Sequence, residues 1–244
     1  MVEETTRRGA RLENHLEWML LALAGLLLLC AVIAQPNASL LTGLWRIQTS
    51  EAGLITDPMA IGGVGAALLN AALVLLLSLL LIRRMKLPIT GAALACLFLM
   101  AGFALLGKNL LNITPIVIGG WLHALYKRES FARYVYLILY GTCLSPMVSF
   151  LLVRVRPGFR WLAMSLCGLV IGFLLPAIAR YTTRVHQGYN LYNVGFAAGI
   201  LGLGLASFFK GFGVEFTSHD SWSREGHLLL CGLMTALLGG LLAA

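Results

Sequence analysis

Charged residues divide this chain into apolar runs about as long as a bilayer is thick, and few folds accept that pattern. A first run covers about Leu16 to Ala34, and a second covers about Ala60 to Ile82 between Asp57 and Arg83. Lys86 to Lys108 encloses a third, and Asn109 to Tyr126 forms a fourth. Arg133 to Arg154, Arg160 to Arg180 and Arg184 to Lys210 enclose the fifth to seventh, and an eighth runs from near Leu228 to Ala244. A spanning helix needs about 20 apolar residues. The pattern therefore predicts an all-α polytopic transmembrane helix bundle of seven or eight membrane segments in a single integral membrane domain, 1–244. The fourth run carries Pro115 early, so it is expected either to cross as a broken helix or to dip in and return.

Composition agrees with that class. Hydrophobic residues make up 59% of the chain and charged residues 11%, with mean hydropathy +0.86, outside the balance of a soluble domain. The net charge of +8 does not point to nucleic acid, because the basic residues sit in short clusters between apolar runs. There they set orientation and meet lipid headgroups. Most of the 18 Lys and Arg residues fall on the side of the N-terminus whether seven or eight runs cross. The expected topology has a cytoplasmic N-terminus, a cytoplasmic Arg83-Arg84-Met85-Lys86 turn, and Thr42 to Thr56 outside. The basic lead and first run resemble a signal peptide ending near Val32-Ile33-Ala34. The acidic residues Glu3, Glu4, Glu13 and Glu17, and the many later runs, favour an uncleaved first helix.

Five cysteines (Cys30, Cys96, Cys143, Cys167, Cys231) lie inside apolar runs without metal-ligand spacing, and predict neither disulfides nor zinc. No cofactor is expected.

A short phrase occurs twice. Gly107-Lys108-Asn109-Leu110-Leu111-Asn112-Ile113 and Gly188-Tyr189-Asn190-Leu191-Tyr192-Asn193-Val194 both read G-x-N-L-x-N-[I/V], which suggests a weak internal repeat with units starting near 107 and 188. Asparagines three apart share a helix face. An unpartnered amide in hydrocarbon costs roughly 4 to 8 kcal/mol, so each pair must face protein, water or ligand. In the ordinary reading the first Asn caps a helix and the second bonds locally. In the functional reading each copy opens a discontinuous helix, and Asn109, Asn112, Asn190 and Asn193 converge on one substrate site, as in transporters built from repeats. Lys108 would neutralise an anionic ligand there. The commoner fate of a lysine at a span boundary is to snorkel to the headgroups.

Other polar positions carry less. Asn70 lies inside the second run and needs a partner. His123, near Trp121 and Tyr126, reads as an interfacial residue, and His186 and Gln187 as loop. Gly168 with Gly172, and Gly195 with Gly199, have the spacing of close helix contacts, as do Gly62, Gly63 and Gly65 near the second run. His219, Asp220 and His227, with Glu225 between, match no metal or nucleophile signature, so the chain is not expected to be an enzyme.

At the Gly107 to Trp121 and His186 to Gly195 stretches the chain resembles an uncharacterised family of bacterial multi-pass inner-membrane proteins, a domain of unknown function. The resemblance covers the chain from about Ala52 onward and is moderately specific. It implies a bacterial inner (plasma) membrane location and supplies no substrate or catalytic residue. Members of that family are longer, and the last run here ends in Leu241-Leu242-Ala243-Ala244, so an N-terminal portion is expected. Its partners would be membrane lipids and either a missing C-terminal half or further copies in a homo-oligomer. The N-L-x-N turn is also faintly similar to urea-type channels. The reading that results is a channel or secondary transporter for a small polar solute. Its rivals are a structural or assembly subunit and, behind that, a membrane-embedded enzyme.

Overall fold

The computed structural model describes residues 2–36, 38–51, 57–187, 189, 192–213, 223 and 225–243, with side chains described from 12 to 240. Among them every regular element is helical. The α-helices in chain order are α1 Val2–Ala34, α2 Ser39–Thr49, α3 Pro58–Gly62, α4 Val64–Arg84, α5 Gly91–Ala104, α6 Leu110–Lys127, α7 Val135–Gly141, α8 Ser145–Arg154, α9 Arg160–His186, α10 Asn193–Gly211 and α11 His227–Ala243. Among the described residues five stretches are long and apolar enough to cross a membrane: Leu12–Ala34 of α1, α4, the continuous rod Val135–Arg154 of α7 and α8, α9 and α10. Helices α5 and α11 are apolar but shorter.

Local chemistry accounts for the breaks. Thr90 caps α5 by accepting from the Ala93 N–H, and Asp57 caps α3 by accepting from Met59 with Pro58 just inside. Pro146 has no N–H to give to Thr142 and crowds that carbonyl. The rod therefore tightens to a 3₁₀ turn at Thr142–Leu144 between α7 and α8. Pro115 does not break α6, contrary to expectation: α6 runs through it. The proline ring lies where Gly168 of α9 presents no side chain.

Hydrogen bonds and ion pairs order the two ends of the bundle. At the first end Glu13 Oε1 accepts from the Ile89 N–H at 3.1 Å, Glu17 pairs with Arg83, and Tyr136 Oη donates to Pro88 O at 3.2 Å. At the opposite end the Gln35 amide donates to Ser39 O and Gly62 O and accepts from the Ala66 N–H, locking the exit of α1 to α2, α3 and α4. Arg154, closing α8, pairs with Glu51 beyond α2 at 3.6 Å.

These ties fix the course of α5 and α6. Tyr136 and Tyr140 in α7 bond Pro88 O and Ala92 O at the start of α5. Helix α7 follows the end of α6 after only a short link, so α5 starts and α6 ends at the same end of the bundle. At 1.5 Å per residue the 14 residues of α5 reach only about 21 Å. The two helices thus form a hairpin that turns inside the bundle. Helix α2 approaches the turn from the opposite end, where a loop was expected.

The exterior is apolar. Leu203, Phe208, Leu228 and Leu238 are all more than half exposed, as a lipid-facing surface allows and an aqueous one disfavours. Inside, α6 lies along α9 at backbone contact. A Cβ on Gly172 would meet Ile116 O and Gly120 N, and one on Gly168 would meet the Pro115 ring. The Gly168 and Gly172 pair is the close contact its spacing predicted. Gly195 and Gly199 are not, since nothing lies within 4 Å of a Cβ on Gly199.

Candidate functional site

The turn of the α5–α6 hairpin is the first copy of the repeated phrase. Helix α5 ends at Ala104, and Gly107 takes φ 103°, a left-handed conformation that favours glycine. This turns the chain so that the Lys108 N–H bonds back to Phe103 O at 3.0 Å. Asn109 then caps α6. Its side-chain oxygen accepts from the Asn112 N–H, and the Asn112 oxygen accepts from the Asn109 N–H, a reciprocal capping box. The local reading of the phrase is what this copy adopts.

The amide nitrogens reach further. Asn112 donates to Gly107 O at 3.1 Å and to Ser149 Oγ on α8 at 2.8 Å, and Asn109 donates to Ile47 O on α2 at 3.0 Å. Gln48 on α2 accepts from the Leu111 N–H and donates to Asn70 Oδ1 on α4. Asn70 in turn donates to Ala104 O and Lys108 O at 3.0 and 2.8 Å. Asn70 needed a partner, and it has three. Gln48, Asn70, Asn109, Asn112 and Ser149 are all buried, so this one network joins α2, α4, α6 and α8 around the turn.

Its depth follows from three independent helices. Asn112 lies 15 residues before the end of α6, Asn70 14 before the end of α4, and Ser149 14 after the start of α7. Each count gives about 21–23 Å along the bundle from the first end.

Lys108 does not snorkel. It is 5% exposed, its ammonium 3.4 Å from Met100 Sδ and 5.0 Å from the centre of the Phe103 ring. No carboxylate pairs with it among the described residues. Thr142 Oγ1 also touches Met100 Sδ at 3.4 Å, while donating to Leu139 O at 2.6 Å. Thr142, Ser145 and Ser149 are spaced three and seven apart and share one face of the α7–α8 rod. All three are buried, and Ser145 Oγ has no hydrogen-bond partner among the described residues.

In the second copy Asn193, the counterpart of Asn112, is the first residue of its helix α10 rather than the third, and its side chain faces α9. It accepts from Thr182 Oγ1 at 2.8 Å, lies 2.7 Å from His186 Nε2, and donates to Ala179 O at 3.1 Å. This stretch of α9 is at the first end, because Arg180 reaches Tyr134 Oη at 3.1 Å and Glu129 at 4.0 Å. Asn193 is therefore about 20 Å along the bundle from Asn112. The two do not share one polar site, contrary to expectation. Asn190 lies outside the described residues, as do His219 and Asp220 of the loop weighed as an enzyme site. His123 is buried instead of interfacial, its Nδ1 2.7 Å from Phe173 O and its ring edge-on to Tyr134 and Phe173.

Sequence reasoning missed Gln48, Thr142, Ser145 and Ser149. The three hydroxyls carried a signal in their common face. Gln48 sat in a segment read as a loop.

An all-helical bundle with an apolar exterior, long apolar helices and amides saturated inside it defines a multi-pass helical membrane protein. More particularly, the chain belongs to the family described as "Protein of unknown function (DUF1576)", which matches residues 36–211. No curated protein and no solved structure matches it.

Proposed function

We propose that this protein is a channel or secondary transporter for a small polar solute, and that Lys108 at the α5–α6 turn is the solute's contact. In this reading α1, α4, the α7–α8 rod, α9, α10 and α11 cross a bacterial inner membrane, the N-terminus is cytoplasmic, and α5–α6 is re-entrant. One observation carries it: an ammonium 5% exposed, without a carboxylate partner among the described residues, beside a break between two helices. Ionisable groups at membrane depth are expensive and cluster on solute and ion paths. Asn109, Asn112, Asn70 and Gln48 hold the turn in place. Their amides are engaged by protein, so their part in transport is positional. Asn193 braces α10 on α9.

Solute uptake into proteoliposomes tests this, with wild-type protein screened against small solutes and then compared with Lys108→Met. Uptake by the wild type that falls to the empty-vesicle level in the variant, at equal folded yield, is the expected result. A second reading is a structural or assembly subunit. The saturation of the Asn109 and Asn112 amides by neighbouring helices favours it, and so do the exposed apolar faces of α10 and α11. Absence of uptake for every solute, with co-purification of a stoichiometric membrane partner, would establish that reading.

A further inference from the structure

Lys108 and Ser145 are both buried, and neither has a partner adequate to its chemistry. An ammonium has three N–H donors and no acceptor, and among the described residues the acceptor at Lys108 is the thioether of Met100, at 3.4 Å, a weak one. Ser145 Oγ has no hydrogen-bond partner among the described residues although the residue is only 1% exposed. Native structures leave few buried hydroxyls unpaired, and a buried charge requires a counter-charge or a strong hydrogen-bonding shell.

The two groups belong to one region. Lys108 Nζ and Thr142 Oγ1 both touch Met100 Sδ, and Asn112, four residues after Lys108, reaches Ser149. Ser145 is on the same face of the α7–α8 rod, between those two contacts. Thr142 donates to Leu139 O and Ser149 Oγ already accepts from Asn112, so of the three hydroxyls Ser145 is the one with no hydrogen bond of either kind among the described residues.

We propose that the Lys108 ammonium and the Ser145 hydroxyl together bind a small monoanion, of the size and charge of chloride, nitrate or formate. Both groups donate, so the missing member is an acceptor. A single positive charge balances a single negative one, while a dianion would leave a net charge buried. Cations are repelled, and a neutral solute would leave the ammonium uncompensated. The anion would take the place of Met100 Sδ at the ammonium, the thioether of this buried residue repacking on its flexible, unbranched side chain.

This inference deepens the transport reading and rests on its choice of Lys108 as the contact. It is tested by thermal unfolding of the purified full chain in neutral detergent, in a gluconate background, titrated with sodium chloride, nitrate, formate or sulfate. A ligand that binds only the folded state raises the midpoint in a saturable way. The monoanions are expected to do so and sulfate is not. The response should be lost in Lys108→Met, shifted to about tenfold higher concentration in Ser145→Ala, as expected for loss of a hydrogen bond to a charged group, and unchanged in Lys127→Met, an exposed lysine. Absence of a saturable response in the wild type, or a response that survives in Lys108→Met, overturns the proposal. If Lys108→Met does not fold, an unshifted response in Ser145→Ala overturns it equally. Anion binding without any flux would remove transport and keep the site, whereas flux of a neutral solute without anion binding would remove the anion site alone.

Discussion

Asn109 and Asn112 hold each other: each side-chain oxygen accepts the backbone N–H of the other at 2.9 Å. Because the same two amide nitrogens reach α2 and α8, the cap that starts α6 also fixes the depth at which the α5–α6 hairpin turns. Helix nucleation and tertiary docking are here one set of bonds.

That coupling predicts the energetics of its members. Asn109→Ala should destabilise the protein by about 1–2 kcal/mol, because Ile47 O loses its buried donor along with the N-cap. Asn112→Leu should cost more, about 1–3 kcal/mol, because Gly107 O and Ser149 also lose a buried partner. The double variant should be less destabilised than the sum of the two by at least about 0.5 kcal/mol, as for residues in one network. Unfolding midpoints in mixed detergent micelles measure all three. Strict additivity would show that the reciprocal cap is not an energetic unit.

The two glycine pairs should behave oppositely. Gly172 faces the Ile116 carbonyl and the Gly120 N–H, both backbone atoms that cannot swing aside, so Gly172→Ala should force α6 and α9 apart. A loss of 1–3 kcal/mol is expected for such overpacking, about the usual range. Gly199 faces open space, and Gly199→Ala should be neutral or slightly stabilising, since alanine exceeds glycine in helix propensity by about 1 kcal/mol. Folded yield by size-exclusion chromatography distinguishes them, and equal yields would contradict the α6–α9 contact.

The helices were legible in the sequence because hydropathy is a local property. Each of α1, α4, the α7–α8 rod, α9 and α10 lies on an apolar run between charges. The cap at Asn109 was legible too, from residue type and spacing. What the sequence hid was relational. Lys108 looked like a boundary lysine, and its burial depends on Met100 and Phe103 in the last turns of α5. The third and fourth runs together look long enough for two crossings, and only the 14-residue length of α5 and the tyrosine bonds from α7 show them turning inside. The phrase at Asn190 and Asn193 shares letters with the first copy, yet Asn193 starts its helix where Asn112 is the third residue of its own. Similar spelling did not make similar sites.

Acidification should loosen the first end of the bundle. The Tyr134 hydroxyl donates to Glu129, and Arg133 and Arg180 stand nearby at 3.1 and 4.0 Å. That hydrogen bond foremost, and then the two guanidinium groups, hold the Glu129 carboxyl below the usual carboxylate range. A carboxyl whose folded value lies below its unfolded one contributes stability above the unfolded value, and loses it as pH falls through the folded one. The stability difference between wild type and Glu129→Gln should therefore be constant from neutral pH down to about 5 and vanish further into acid, below the ordinary glutamate value of about 4.3. Thermal midpoints of both proteins across that range measure it, and a difference that grows on acidification would reverse the assignment.

The turn of the hairpin yields the sharpest test of topology, because a helix that crosses and a helix that returns put Leu106 in different solvents. Leu106 is 46% exposed on the bundle and lies just before the turn, about 21 Å from the first end by the length of α5. If α5 crossed completely, Leu106 would meet water at the far face. With the hairpin turning inside, it meets hydrocarbon. In a background free of native cysteines, Leu106→Cys should resist a membrane-impermeant maleimide from both sides. Arg84→Cys and Arg128→Cys should label from one common side, and Arg156→Cys from the other. Ready labelling at Leu106→Cys from the Arg156 side would make α5 a full crossing. It would also bring Lys108 to the surface, where its charge needs no ligand, so the same measurement bears on the anion site.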